Sequence, residues 1–220
     1  MLARILRGLV LIVVGYYAIC IAGLVWMRFF PPPTTMVQLQ RRVEALASRE
    51  PYTHRSSWRA LDDLPAHSHR AVVAAEDTRF FQHSGFDWEE FQKAGEEAER
   101  RGEPRRGAST ITQQLMKNLF LTTHRSPVRK VVEYTLTPFA ELILPKERIL
   151  ELYVNVIEWG PGVYGIDAAS RHHYNRPASR LTRDQSARLA AVIPAPRSRT
   201  PQRMGSYAGT IQGRMRALGW

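Results

Sequence analysis

The chain is 220 residues long, enough for one domain with a sizeable core or at most two small ones. Its 31 Lys and Arg outweigh 20 Asp and Glu, and the net charge of +11 suits phosphate groups, an anionic membrane surface or nucleic acid. The single cysteine, Cys20, excludes a disulfide within the chain and a cysteine-based metal site.

Residues 8–27, GLVLIVVGYYAICIAGLVWM, form an uncharged apolar run of the length that crosses a bilayer as a helix. Arg4 and Arg7 precede it, and Trp26 stands where an interfacial anchor sits. A cleavable signal peptide is the alternative, but FFPPPTT offers no small-x-small cleavage pattern. The reading is an uncleaved anchor over residues 1–30. No basic residue follows Arg28 until Arg41, which places the amino terminus inside and the main domain outside. Residues 31–59 are a juxtamembrane linker, with helical spacing through Val37, Val43 and Leu46. His67 and His69 fall on opposite sides of a helix, are poor co-ligands, and read as solvated.

Residues 71–87, AVVAAEDTRFFQHSGFD, carry the first chemical signal. A small apolar run ends on Glu76 and Asp77. A carboxyl at such an edge is partly desolvated, and desolvation raises its pKa toward the range of a general base or acid. The competing reading is a solvated acidic pair at a helix end. Asp87 is a candidate N-cap for the next helix. Residues 93–106 are densely charged with few large apolar side chains, and read as an exposed segment or a mobile lid.

Residues 107–121, GASTITQQLMKNLFL, carry the second signal. Thr110-x-x-Gln113 resembles a capping box. Helical spacing puts Thr110, Gln114, Lys117 and Asn118 on one side, beside an apolar stripe of Ile111, Leu115 and Leu119. The polar stripe is either a solvated face or a grip for phosphate and sugar oxygens. Arg129, Lys130 and Glu133 lie within one helical turn, as a surface ion pair or as part of a site. Pro138 is expected to kink that helix or end it early. A helix over 145–157 with Pro145 in its first turn buries Ile149, Leu150, Tyr153, Val156 and Ile157. GPGVYG breaks the chain at 160–165, a short helix covers 166–174, and Thr182-x-x-Gln185 opens another over 183–193. Residues 197–220 form a basic tail with a final helix from about Gly209. No strand-like alternation of any length occurs, so the predicted class is all-α.

Three motif regions in this order resemble the monofunctional biosynthetic peptidoglycan glycosyltransferases, the lipid II polymerases of the bacterial envelope. They are Glu76-Asp77-x-x-Phe80-x-x-His83-x-Gly85-Phe86-Asp87, then Gly107-x-Ser109-Thr110-Ile111-Thr112-Gln113-Gln114-Leu115-x-Lys117-Asn118-Leu119, then Arg129-Lys130-x-x-Glu133 with Lys146-Glu147-x-Ile149-Leu150-Glu151-x-Tyr153-x-Asn155. Gly162-x-Tyr164-Gly165-Ile166 and the closing Leu189-Ala190-Ala191-Val192-Ile193-Pro194 also fit. Val154 and Gln185-Ser186-Ala187 depart mildly from the family pattern. The resemblance implies a lysozyme-like helical glycosyltransferase domain over residues 60–196 behind one membrane helix. The chain has no Ser-x-x-Lys, so no transpeptidase activity is expected.

The same resemblance implies the partners and the roles. Lipid II and the growing glycan chain are the substrates, with membrane lipid and cell-wall or division proteins as further partners and no nucleic acid. The site is expected on the periplasmic face of the inner membrane. Glu76 is the implied general base and Glu133 the second catalytic carboxylate. Thr110, Gln114, Lys117, Asn118, Arg129 and Lys130 are implied to bind phosphate and sugar oxygens, with Asp77 and His83 in support. Glu133 would orient the cations or hold a divalent cation, Mg2+ or Mn2+, with the substrate pyrophosphate. No organic cofactor is expected. A lytic transglycosylase or muramidase, and a non-catalytic division scaffold, are the alternatives. A glycan cleaver has no pyrophosphate for Lys117, Arg129 and Glu133 to serve.

Overall fold

The computed structural model describes the chain except for residues 103–106 and 108. In chain order the elements are α1 (Leu2–Met27), α2 (Met36–Ser48), β1 (Arg55–Ser56), α3 (Ala66–Glu76), α4 (Trp88–Arg101), α5 (Ile111–Phe120), α6 (Pro127–Ile143), α7 (Lys146–Val156), β2 (Glu158–Gly160), β3 (Val163–Tyr164), α8 (Ile166–Tyr174), α9 (Arg183–Ala190) and α10 (Gly205–Ala217). The architecture is mainly α. Thr35, Thr110 and Thr182 each close a capping box at the start of α2, α5 and α9, and the Asp87 carboxylate accepts from Glu90 N at the start of α4.

The core is built where helices cross. α5 lies against α6 and α7, while α3 lies against α9 and α10. Val72 of α3, Leu115 and Met116 of α5, and Ile149, Leu150 and Tyr153 of α7 are fully buried. Each such side chain contributes about 1.5–3 kcal/mol of burial. The final helix starts at Gly205, four residues before the expected start, and buries Ala208, Ile211 and Met215 against α3 and α9. The segment read as a basic tail therefore joins the core.

A small sheet in the order β1-β3-β2 flanks the helices, with β1 parallel and β2 antiparallel to β3. Its strands of two or three residues are too short to show an alternating pattern. Gly162 turns the hairpin at φ +72°, and a Cβ there would sit 2.2 Å from the Thr53 carbonyl oxygen. Only glycine fits.

α1 has mean hydropathy 2.4 over its most apolar window, and most of its side chains face outward. Cys20, Leu24 and Met27 are the exception: they are buried against the rest of the chain. Tyr16 donates to the Phe120 carbonyl at 3.2 Å, and the Tyr17 hydroxyl bonds Thr135 Oγ1. Arg28 donates to the Ile143 carbonyl at 2.9 Å, and Arg148 to the Met27 carbonyl at 2.7 Å. α1 is thus docked on α6 and the end of α5. The juxtamembrane segment is equally well seated, since Val37 and Gln38 are buried and Gln40 bonds both the Thr123 backbone and its hydroxyl.

Several local expectations change. Pro138 does not end α6, which continues to Ile143. The proline is on the exposed side of the helix. Pro145 precedes α7 as its N-cap instead of occupying its first turn. α9 gives way to turns after Ala190. His67 is not solvated: its Nε2 donates to the Leu181 carbonyl at 2.8 Å. His69 is half-buried, and burial pushes its pKa down. Of the segment read as a lid, residues 93–101 complete α4 and Gly102 caps it in the left-handed region, while residues 103–106 lie outside the described residues.

Candidate active site

A cleft of about 630 Å³ opens where the C-terminus of α3 meets the N-terminus of α5. Glu76, Asp77, Ser109, Thr110, Gln114 and Lys117 line one side, and Ile193, Pro194, Tyr207 and Arg214 line another. α3 carries its apolar face into the core and ends on Glu76, so that carboxyl is delivered to the cleft floor half-buried.

Glu76 is held between opposing influences. Burial raises its pKa above the usual carboxylate range. The neighbouring Asp77 charge pushes the same way. Gln114, Lys117 and Arg199 push down. Gln114 Nε2 donates to Glu76 Oε2 at 2.8 Å, and Gln114 Oε1 accepts from the Tyr153 hydroxyl at 2.8 Å. The net direction is upward, which is what a base working near neutral pH needs.

Asp77 and His83 hold the frame. The Asp77 carboxylate accepts from Ile111 N at 3.0 Å and from His83 Nε2 at 2.9 Å, and His83 Nδ1 accepts from Gly85 N at 3.2 Å. This locks the start of α5 to the end of α3. Thr110 is 2 % exposed, and its hydroxyl donates to the Gly85 carbonyl at 2.7 Å while capping α5. That hydrogen is committed within the protein, although Thr110 lines the cleft. Asn118 turns back on its own helix, donating to the Gln114 carbonyl at 2.7 Å, and does not line the cleft.

Lys117 differs from these neighbours. It is half-buried, lines the cleft, and among the described residues no hydrogen-bond acceptor takes its ammonium. Burial pushes its pKa down, while Glu133 and Glu76 support the charge. Behind it lies the α6 cluster. Glu133 is 2 % exposed; Arg129 Nη1 donates to its Oε2 at 2.6 Å and Lys130 Nζ bonds its Oε1. Lys130 Nζ also donates to Ser109 Oγ at 2.9 Å and lies 4.7 Å from the centre of the Tyr134 ring. The structure thus gathers Glu76, Asp77, Thr110, Gln114 and Lys117 around the cleft. It sets His83, Asn118, Arg129, Lys130 and Glu133 behind its walls.

The donor set does not fit a resident divalent cation at Glu133. Both carboxylate oxygens already carry a cationic partner, and Lys117 adds a third positive charge nearby. Asp77, His83 and Asp87 place potential ligand atoms within 4.8 Å of one another. Their acceptors are likewise engaged by Ile111 N, Gly85 N and Glu90 N.

Sequence reasoning placed Tyr153 in the core but gave its hydroxyl no role, and it gave Arg214 and Tyr207 none at all. A buried tyrosine oxygen needs a partner, so Tyr153 was open to inference. Arg214 was not, because its position depends on α10 folding back. Its Nη1 donates to the carbonyls of Ala74 at 3.2 Å and Ala75 at 3.4 Å, in the last turn of α3.

Comparison with known proteins agrees with this geometry. The family model described as "Transglycosylase" matches residues 42–218, a span from α2 to the end of α10. A protein of Chromohalobacter salexigens named "Biosynthetic peptidoglycan transglycosylase" is 43 % identical over 222 residues, covering 99 % of this chain and 94 % of that protein. A namesake from Azoarcus sp. is 44 % identical over 198 residues, covering 88 % and 85 %. One from Pseudomonas aeruginosa is 40 % identical over 223 residues, covering 100 % and 96 %. With the match running across every wall of the cleft, the chain belongs to the transglycosylase family.

Proposed function

We propose that this protein is a peptidoglycan glycosyltransferase that joins lipid II units into a β-1,4 glycan and releases undecaprenyl pyrophosphate. The observation that carries the reading is the pairing, in one cleft, of a carboxyl with raised pKa and a half-buried ammonium that finds no hydrogen-bond acceptor among the described residues. Glu76 takes the proton from the acceptor sugar hydroxyl. The freed oxygen electron pair bonds to the anomeric carbon of the donor, and the bond from that carbon to the pyrophosphate oxygen breaks with inversion. The leaving oxygen carries its electron pair away as an anion. Lys117 meets that charge directly, and Arg129 and Lys130 strengthen the positive field behind it. Glu133 fixes those two cations in place. Gln114 orients the base, Asp77, His83 and Thr110 keep the start of α5 in register with the end of α3 and the loop after it, and Asn118 turns back on its own helix. No step is assigned to a metal. A glycan-cleaving activity brings no pyrophosphate for Lys117 to meet.

The fold suits a substrate that stays in a membrane. α1 enters the bilayer behind Arg4 and Arg7, and we place the cleft on the periplasmic side of the inner membrane. Val128, Val131 and Leu142 of α6, the helix on which α1 docks, are exposed apolar side chains suited to lipid.

The test is polymerisation of purified lipid II by the full-length protein in detergent. Glu76→Gln is expected to lose about 10²–10⁴-fold in rate while remaining folded. Near wild-type polymerisation by that variant would remove Glu76 from the chemistry.

A further inference from the structure

Tyr153 reaches the base through a single intermediary. Its ring is fully buried on α7, and its hydroxyl donates to Gln114 Oε1 at 2.8 Å. An amide has one acceptor end and one donor end. With Oε1 turned to Tyr153, Nε2 must face Glu76 Oε2, which it meets at 2.8 Å. The Gln114 carbonyl adds nothing to this choice, since it accepts from Asn118. Without the phenol, Oε1 loses its donor and the amide is held only through Nε2, by Glu76 Oε2 and, at 3.4 Å, by the Ser109 carbonyl, so its hold on the carboxylate loosens.

We propose that Tyr153 is a positioning residue that sets the direction of the Gln114 amide and, through it, the orientation and ionisation of Glu76. The proposal rests on Glu76 being the general base. The phenol suits the task because it stays protonated and gives its one hydrogen to Gln114 Oε1. Burial pushes its pKa well above the usual tyrosine range, with Glu76 and Asp77 adding to the effect. Glu76 meets charged or titratable groups from each neighbouring element: Asp77 beside it, Lys117 on α5, Tyr153 on α7, Arg199 beyond α9, and Arg214 on α10 across the same cleft. The Gln114 hydrogen bond heads the influences holding the Glu76 pKa down, so its loss moves that pKa up.

The experiment is a double-mutant cycle on the full-length enzyme polymerising lipid II, read as kcat and KM across pH. Tyr153→Phe is expected to lower kcat about tenfold with KM little changed, and to move the acid limb of the rate profile to higher pH. Gln114→Leu moves the limb the same way, and the double variant is no worse than Gln114→Leu alone. A fluorinated tyrosine at 153 keeps the shape and donates more strongly, so it moves the limb to lower pH; this readout survives if Tyr153→Phe unfolds. Additive losses, or an unmoved acid limb in the fluorinated enzyme, overturn the proposal. Full activity of Glu76→Gln would instead overturn the assignment of the base, which separates the two failures.

Discussion

Lys130 Nζ on α6 lies 2.9 Å from Ser109 Oγ on the cleft wall, so the ion cluster around Glu133 is tied directly to the site. The wall and the cluster are 21 residues apart in sequence, and no local pattern predicts their contact.

The first prediction concerns that cluster. Glu133→Ala leaves Arg129 and Lys130 facing each other without their shared carboxylate. Removing one partner of a buried ion pair costs about 3–5 kcal/mol, and the partial exposure of Lys130 places this case at or below the lower end. Urea unfolding should show the loss together with a collapse in polymerisation. Unchanged stability would mean that the cluster is not holding α6 to the cleft.

Glu76 predicts a pH-dependent stability effect. Its folded pKa is raised, so the folded state binds a proton more tightly than the unfolded chain does. Its contribution is therefore most favourable below the unfolded value of about 4.3, and is lost as pH rises toward the folded value. Glu76→Gln should raise the melting temperature at pH 8 relative to the native protein, with the advantage vanishing by about pH 4. Melting curves that differ equally at both pH values would contradict the burial of that charge.

Lys117→Ala should lower kcat by about 10²–10³-fold, the range for removing one donor at a site of developing charge. It should also raise the acid limb of the profile, because Lys117 helps to hold the Glu76 pKa down. A variant that changes only KM would make Lys117 a ground-state binder.

Arg214 lets the C-terminal helix be tested as a part of the site. Arg214→Ala removes two hydrogen bonds to the last turn of α3, at a cost of about 1–2 kcal/mol, and lets Glu76 shift. The expected result is a lower melting temperature and a drop in kcat. Arg214→Lys should recover part of the stability, since both hydrogen bonds come from the single Nη1, which an ammonium on a shorter reach replaces incompletely. Wild-type kcat in Arg214→Ala would separate α10 from catalysis.

The sequence was most informative where a feature is local. The Thr110 and Thr182 capping boxes, the Asp87 cap and the buried stripe of α7 are repeated in the structure because each is decided within a turn or two of helix. The short-range ion cluster of Arg129, Lys130 and Glu133 was equally legible. What escaped depends on two elements meeting. His67 looked solvated until Leu181 came within reach, and Pro138 was expected to kink α6 or end it early, yet the helix runs on to Ile143 with the proline on its exposed side. The polar stripe of α5 splits for the same reason. Gln114 and Lys117 line the cleft beside Glu76, whereas Asn118 is turned inward by a bond that a helical wheel does not show.

α7 carries two latches on one rigid rod. Arg148 grips the last carbonyl of the membrane helix, and Tyr153, five residues on and about 7.5 Å along the axis, grips the amide beside the base. The spacing between the end of α1 and the amide beside Glu76 is therefore set by α7 alone. On the proposed reading, that spacing fixes the level at which a lipid-linked sugar meets Glu76.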